Sequence, residues 1–396
     1  MITPKSLNIM KNLLMIPGPI EFNPEVLTEM GKQTLSHVSG EFIDIFAASL
    51  EMMKQVWQCP DGQAFIMAGS GTLAMDMAGA NLVETNDGIL VISTGYFGER
   101  YAELLARYGA DCHIISARPG ETVPAEIIED ELKKGKYKML TFTHVDTSTA
   151  VRVDPEPLGQ LGRKYGVLTV LDGVCSVAGE EIKQQEWGID IVLTASQKAV
   201  GVPPGLALLV ASQKAMDAFH KRKSPVMNYY ADWTHWLPVM KAYEEHRPAY
   251  FGTPAVNLVS ALNISLKQIL SEGLEKRFIR HGLTASAIRS GLKTLGLKQI
   301  PSDNIAANTL SAPYYPEGVK AAEFIGEMKK AGVIVAGGLL PELRNKYFRI
   351  GHMGKITTEE AIAVIQALEA ALDKLNYNFD KGSGVKVAKD VLESLS

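Results

Sequence analysis

The chain has 396 residues, 46% hydrophobic and 21% charged, with 40 Lys and Arg against 44 Asp and Glu for a net charge of −4. This balance excludes a disordered chain and a fibrous one, and no basic excess points to nucleic acid or an anionic membrane. Length alone offers roughly two to three domains' worth of core.

The elements follow in chain order. Met15-Ile16-Pro17-Gly18-Pro19 reads as a rigid, extended lead-in. Lys5, Lys11 and the short apolar patch 13–16 do not amount to a signal peptide. Asn23-Pro24-Glu25 supplies a cap, a first-turn proline and an acid for a helix start. Residues 33–41 read as polar loop and 42–57 as an amphipathic helix. A strand at 64–68 then runs into Gly69-Ser70-Gly71-Thr72, with helical periodicity from Leu73. That turn is either a plain helix cap or a cup whose N–H groups and hydroxyls hold an anion. Gly69, Gly71 and Ala74 also match a dinucleotide fingerprint, but the next strand, 89–92, ends in Ser93-Thr94-Gly95 and not in an acid. A nicotinamide enzyme is therefore a distant alternative.

Gly95-Tyr96-Phe97-Gly98-Glu99-Arg100 places two aromatics at a strand tip, before a helix expected from Tyr101. Such a ring either fills the core or stacks on a flat cofactor. Strands follow at 112–116, 138–144 and 167–172, with helices at 124–133 and 157–165 between them. The third strand ends in Asp172, and the second runs into Val145-Asp146-Thr147-Ser148-Thr149. Another β-run, 189–193, leads into Ser196-Gln197-Lys198 and small residues, then Pro203-Pro204-Gly205 and an antiparallel-looking strand, 206–211. A lysine buried there loses part of its charge preference and becomes an imine-forming amine. Lys198 and Asp172 at neighbouring strand ends are the parts pyridoxal phosphate (PLP) needs: an amine for its aldehyde and a carboxylate for its pyridine nitrogen. Ser70, Phe97, Thr147, Asp172 and Lys198 would all sit at carboxyl ends of strands, where α/β sheets bind ligands.

Residues 227–236 are aromatic and polar and read as a packed loop or a lid. A long helical stretch, 255–295, breaks near Gly273. A smaller α+β unit follows: strands at 309–312, 333–336 and 347–350, a helix at 319–331, and a last helix capped by Thr357-Thr358-Glu359-Glu360. Arg349, between Phe348 and Ile350, needs an anionic partner, either a structural ion pair or a substrate carboxylate. The tail beyond Asn378 reads as peripheral, and its end, Glu393-Ser394-Leu395-Ser396, is not a peroxisomal signal. Three scattered cysteines (Cys59, Cys112, Cys175) and eight histidines form no disulfide framework or metal spacing. No metal is expected, no apolar run is long enough for a membrane span, and the expected setting is cytoplasmic.

Together these segments resemble class V aminotransferases of fold type I, in the alanine–glyoxylate and serine–pyruvate aminotransferase group. The likeness runs from Pro17-Gly18-Pro19 to Arg349-Ile350-Gly351. It implies an α/β fold: an N-terminal arm (1–22), a large three-layer PLP-binding domain with a mainly parallel sheet (23–258), and a small C-terminal α+β domain (259–396). It implies that Lys198 forms the imine with PLP, Asp172 holds the pyridine nitrogen protonated, and Val174 packs on the ring. Ser70, Gly71, Thr72 and Gln197 would bind the phosphate, with Tyr250 and Thr253 of the other subunit of a homodimer. Phe97 would stack on the ring, or Tyr96 if the alignment slips by one. Thr147 would bond the phenolic oxygen, Arg349 the substrate carboxylate, and Gly18 would close a small substrate pocket. The implied reaction moves the amino group of alanine or serine to glyoxylate or pyruvate, in ping-pong fashion. Asp146, Cys175 and Gly252 stand where Glu, Ser and His are usual. Ureidoglycine–glyoxylate aminotransferase remains an alternative. So does cysteine desulfurase, for which none of the three cysteines is well placed.

Overall fold

The structure is a computed structural model describing residues 12–394. Lys5, Lys11, half of the expected arm, and Leu395-Ser396 lie outside the described residues. The strands are β1 Leu13–Leu14, β2 Gln63–Ala68, β3 Gly88–Ser93, β4 Asp111–Ser116, β5 Met139–Thr143, β6 Leu168–Asp172, β7 Ile191–Ala195, β8 Leu206–Ala211, β9 Leu310–Ser311, β10 Val333–Ile334, β11 Ala336–Gly337 and β12 Phe348–Gly351. β2 to β8 make one sheet in the order β2-β8-β7-β6-β5-β3-β4. Only β8 runs against its neighbours in this sheet.

Every residue of β5, β6 and β7 is buried. Parallel strands covered by helices on both faces need such unbroken apolar runs, here Ile191-Val192-Leu193 and Val170-Leu171. β4 is one of the two edge strands and keeps Asp111 and His113 in water. Register brings the strand ends level: Thr143 faces Asp172, and Asp172 faces Leu193. The segments leaving β5, β6 and β7 therefore meet at one place.

The described residues form one large apolar core between Val26 and Ile269, a second from Ala287 to Ala388, and a smaller third cluster in which Val145, Ala150, Cys175 and Ala199 meet Ile300, Leu310, Leu340 and Tyr347. The second also takes in Met15 from the lead-in. β1 pairs in parallel with β10, and β9 and β11 flank β12. Met15 N–H donates to Ile334 O (2.9 Å), and Gly351 N–H donates to Met15 O (2.8 Å). The lead-in is thus pinned to the last third of the chain. No helix among the described residues is long and apolar enough to cross a membrane.

Most expected elements are present, including the break at Gly273 and the capping box of Thr357 and Glu360. Three readings are corrected. The helix after β3 spans Tyr96–Arg107 and so starts five residues early, for a reason given below. The aromatic stretch is loop only to Asp232, which caps a helix Trp233–Glu244; Trp233 and Trp236 are core residues. The tail is not peripheral: residues Ser383–Glu393 form a helix along Leu274–Thr294, with Ala388 only 1% exposed.

That last helix is capped from another element. The Glu369 carboxylate accepts from Gly382 N–H (2.8 Å) and Val385 N–H (3.0 Å). Such caps contribute about 1 kcal/mol. Glu369→Ala should lower stability by about that amount. It should also speed hydrogen exchange of amides 386–393 selectively; unchanged exchange there would show that the cap does not hold the helix.

Candidate active site

Lys198 lies three residues beyond β7 and is 9% exposed. Its ammonium donates to Pro17 O, so the lead-in forms the lid over it. Gly18 has φ +115°, and a Cβ there would stand 2.6 Å from Lys198 Cδ, so a side chain at this position would be strained and would push Lys198 aside. Burial lowers the lysine's pKa; Arg349 adds to the shift, while Cys175 and Asp172 oppose it.

Asp172 ends β6 and is 2% exposed. Its carboxylate accepts from Val174 N–H (3.0 Å) and Thr143 Oγ1 (3.5 Å). Burial pushes it up to about 6, against the pull of Val174 N–H. A cationic N–H facing it would remove that penalty.

Ser70 precedes the helix Gly71–Leu82 without a side-chain cap bond, so its hydroxyl and the first amides of the helix face a ligand together. A Cβ on Gly71 would meet Val174 Cγ2 at 2.9 Å, so this wall must be bare backbone. The Gln197 carboxamide oxygen is buried without a partner. These groups share one cavity of about 200 Å³ with Lys198 and Asp172. Gly18, Thr72, Phe97, Thr147 and Val174 also line it. The bare cup, the orphaned amide, the strained carboxyl and the buried amine fit a flat, cationic, phosphorylated aldehyde such as PLP.

The approach of Phe97 explains the early helix start. Asp146, fully buried, accepts from Phe97 N–H (3.1 Å), Ser148 N–H (2.8 Å) and Ser148 Oγ (2.5 Å). Ser148 Oγ in turn accepts from Tyr96 N–H (3.0 Å). The cap comes from the loop after β5, about 50 residues downstream in the chain, which local periodicity cannot reveal. Gly95 must be glycine, since a Cβ would lie 2.4 Å from Ser148 Oγ. Tyr96 faces a different cavity of about 440 Å³, so Phe97 is the ring of the pair that faces Lys198.

Arg349 on β12 does not line the cavity and has no acid in ion-pair reach among the described residues. It donates instead to the carbonyls of Gly337 (2.9 Å) and Thr147 (3.3 Å). The Tyr347 hydroxyl fixes both loops: it donates to Ser148 O (2.5 Å) and accepts from Leu339 and Leu340 N–H. The expected protein anion is therefore missing, and neutral carbonyls hold the guanidinium. Tyr250 (65% exposed) and Thr253 stand on the surface, away from this cavity.

Sequence reasoning passed over Met75, Arg100, Val145 and Cys175, which also line the cavity. For Cys175 this differs from the sequence expectation that none of the cysteines is well placed. It faces Lys198, but burial raises its pKa, so the thiol stays neutral and is a poor nucleophile. Its place three residues after Asp172 was the available signal.

Residues 25–340 match the family described as Aminotransferase class-V. Alanine–glyoxylate aminotransferase 1 of Saccharomyces cerevisiae is 38% identical over 358 residues, 86% of this chain and 91% of that protein. The crystal structure of an alanine–glyoxylate aminotransferase from Nostoc sp. superposes with a TM-score of 0.87 at 31% identity, covering 94% and 98% of the two chains. That of ureidoglycine–glyoxylate aminotransferase from Bacillus subtilis superposes with a TM-score of 0.90 at 27% identity, covering 99% of each. With a buried lysine and a strand-end aspartate sharing one cavity, this chain belongs to the class-V aminotransferases and is a transaminase of fold type I that works with pyridoxal phosphate.

Proposed function

We propose that this enzyme moves the amino group of a small amino acid, alanine or serine, to glyoxylate or pyruvate, giving glycine when glyoxylate accepts it. The observation that carries the reading is the Pro17-Gly18 lead-in set directly against Lys198 in a cavity of about 200 Å³, which keeps the space beside the reactive amine small. Relatives named for alanine, aspartate and ureidoglycine as partners of glyoxylate support glyoxylate as acceptor more firmly than any one donor.

In this reading Ser70, Gly71, Thr72 and Gln197 hold the phosphate, Phe97 and Val174 sandwich the ring, and Thr147 bonds its phenolic oxygen. When bound, PLP supplies an aldehyde that takes up the amino group and a cationic ring that withdraws electrons from Cα. Lys198 Nζ is the point of covalent attachment. Released from that attachment, Lys198 Nζ would be the base that takes the substrate Cα proton and the acid that gives it back. Its lowered pKa keeps enough neutral amine for that. Asp172 ionises against the ring N–H⁺ and keeps that proton in place. Arg349 takes the α-carboxylate, the missing anion noted above. One cavity serves both substrates in turn, which makes the scheme ping-pong.

We divide the chain into an arm to residue 22, a large unit carrying the cofactor and a small unit carrying Arg349; two main apolar cores support two units, but the first reaches Ile269, so the boundary falls after the helix Val256–Glu272 and not at 258. We place Tyr250 and Thr253 at the partner's phosphate in a homodimer, which their exposure supports. The neutral, buried Cys175 speaks against a desulfurase.

The purified protein should be yellow, bleach with L-alanine or L-serine, and recover with glyoxylate or pyruvate. Lys198→Ala should lose at least about 10³-fold in turnover with the fold intact. A protein that stays colourless after incubation with PLP would overturn the assignment. Bleaching by ureidoglycine alone would move the chain to that relative's activity.

Asp172 sets a pH test. Its folded pKa of about 6 lies above the ordinary 3.8. Its contribution to cofactor-free stability is therefore full below about pH 4 and is lost as pH rises through about 6. The stability of wild type minus Asp172→Asn should fall by on the order of 3 kcal/mol between pH 4 and pH 7 without cofactor, and far less with PLP bound. A flat difference would mean that Asp172 is not strained in the empty site.

Shared sites make a third test. Lys198→Ala and Tyr250→Ala chains, co-expressed at limiting PLP, should form hybrid dimers with one wholly native site each. About a quarter of wild-type activity should return if two-fold dimers mix at random. No recovery would mean that Tyr250 acts within its own chain or not at all.

A further inference from the structure

Arg100 has no part in the scheme above, yet it lines the same cavity as Ser70, Gly71 and Thr72. It lies one helical turn after Phe97, on the helix capped by Asp146. Its Nη2 donates to Thr72 Oγ1 at 2.7 Å. A guanidinium only donates, so the Thr72 oxygen accepts here, and its own hydrogen must be directed elsewhere. Thr72 is the second residue of the helix Gly71–Leu82, beside the uncapped amides that open it.

The charges in the cavity are unevenly placed. Lys198, Asp172 and Cys175 act on one another at one end. Arg100 is bound to Thr72, with no acid in ion-pair reach among the described residues. The nearest acid in sequence, Glu99, is engaged by Ser116 Oγ at 2.7 Å. A cation without a counter-ion, a threonine hydroxyl whose hydrogen is not spent on that cation, and uncapped helix amides line one place. Together they suit a dianionic phosphate.

We propose that Arg100 is a positioning residue for the cofactor phosphate. It orients the Thr72 hydroxyl and supplies the balancing charge, and so makes the enzyme select phosphorylated over unphosphorylated pyridoxal. This rests on the PLP reading of the cavity.

The test is absorbance titration of the cofactor-free, full-length protein with PLP and with pyridoxal. Arg100→Gln should weaken PLP about tenfold and pyridoxal less than about twofold. Arg100→Lys should recover most of the loss, and raising salt should weaken PLP less in Arg100→Gln than in wild type. Thr72→Val added to Arg100→Gln should cost less than the two single losses together, because the two act as a unit. Equal weakening of both ligands, or an unchanged PLP-to-pyridoxal ratio, would overturn the inference while leaving the cavity's cofactor intact. A wild-type protein that binds neither ligand would overturn both readings.

Discussion

A carboxylate that never meets water organises the mouth of the cavity. Asp146 is fully buried, and burial raises its pKa; only donors aimed at it make its charge tolerable. Those donors are Phe97 N–H, Ser148 N–H and the Ser148 hydroxyl. Meeting them fixes the start of the helix that presents Phe97, and it fixes the loop that presents Thr147. The same loop offers Ser148 O to Tyr347 and Thr147 O to Arg349. One buried charge thus ties together parts of β3, β5 and β12 that local sequence leaves independent. Each buried donor stranded by its loss would cost about 1–3 kcal/mol.

The cavity is electrostatically unsettled when empty, and that is what prepares it. Asp172 is pushed toward its neutral form and Lys198 toward its neutral amine, both by lack of water. Arg349 is anchored by carbonyl dipoles and not by an opposite charge. A ligand bringing a cationic ring, an aldehyde and a phosphate relieves several of these strains at once. Its binding therefore raises the stability of the folded chain by ordinary linkage.

Much of this was legible in the sequence because it rests on local patterns. Apolar runs ending in a chemically distinctive residue fixed β6 with Asp172 and β7 with Lys198, and level register brought them together. The Gly-Ser-Gly-Thr turn and the Thr357 capping box carry their partners within a few residues. What escaped depends on partners far away in the chain. The helix start at Tyr96 is decided by Asp146, the tail helix by Glu369, and the neutral anchoring of Arg349 by Gly337 and Thr147. Arg100 escaped for another reason: as an arginine on an amphipathic helix it looks like any solvated surface charge until its neighbour across the cavity is known.

The lead-in over Lys198 bears on how the chain is made. Its residues are made more than 300 positions before those that hold them, Gly332, Ile334 and Gly351. At ordinary rates of synthesis, about 5–20 residues per second, that wait lasts on the order of half a minute. In the last quarter or so of that interval, after Ile269 completes the large core and before Gly351 is made, the core can close while the amine at Lys198 still lacks its cover. The nascent chain is then a folded scaffold with an open reactive centre, accessible to cofactor from the side that the finished protein shuts.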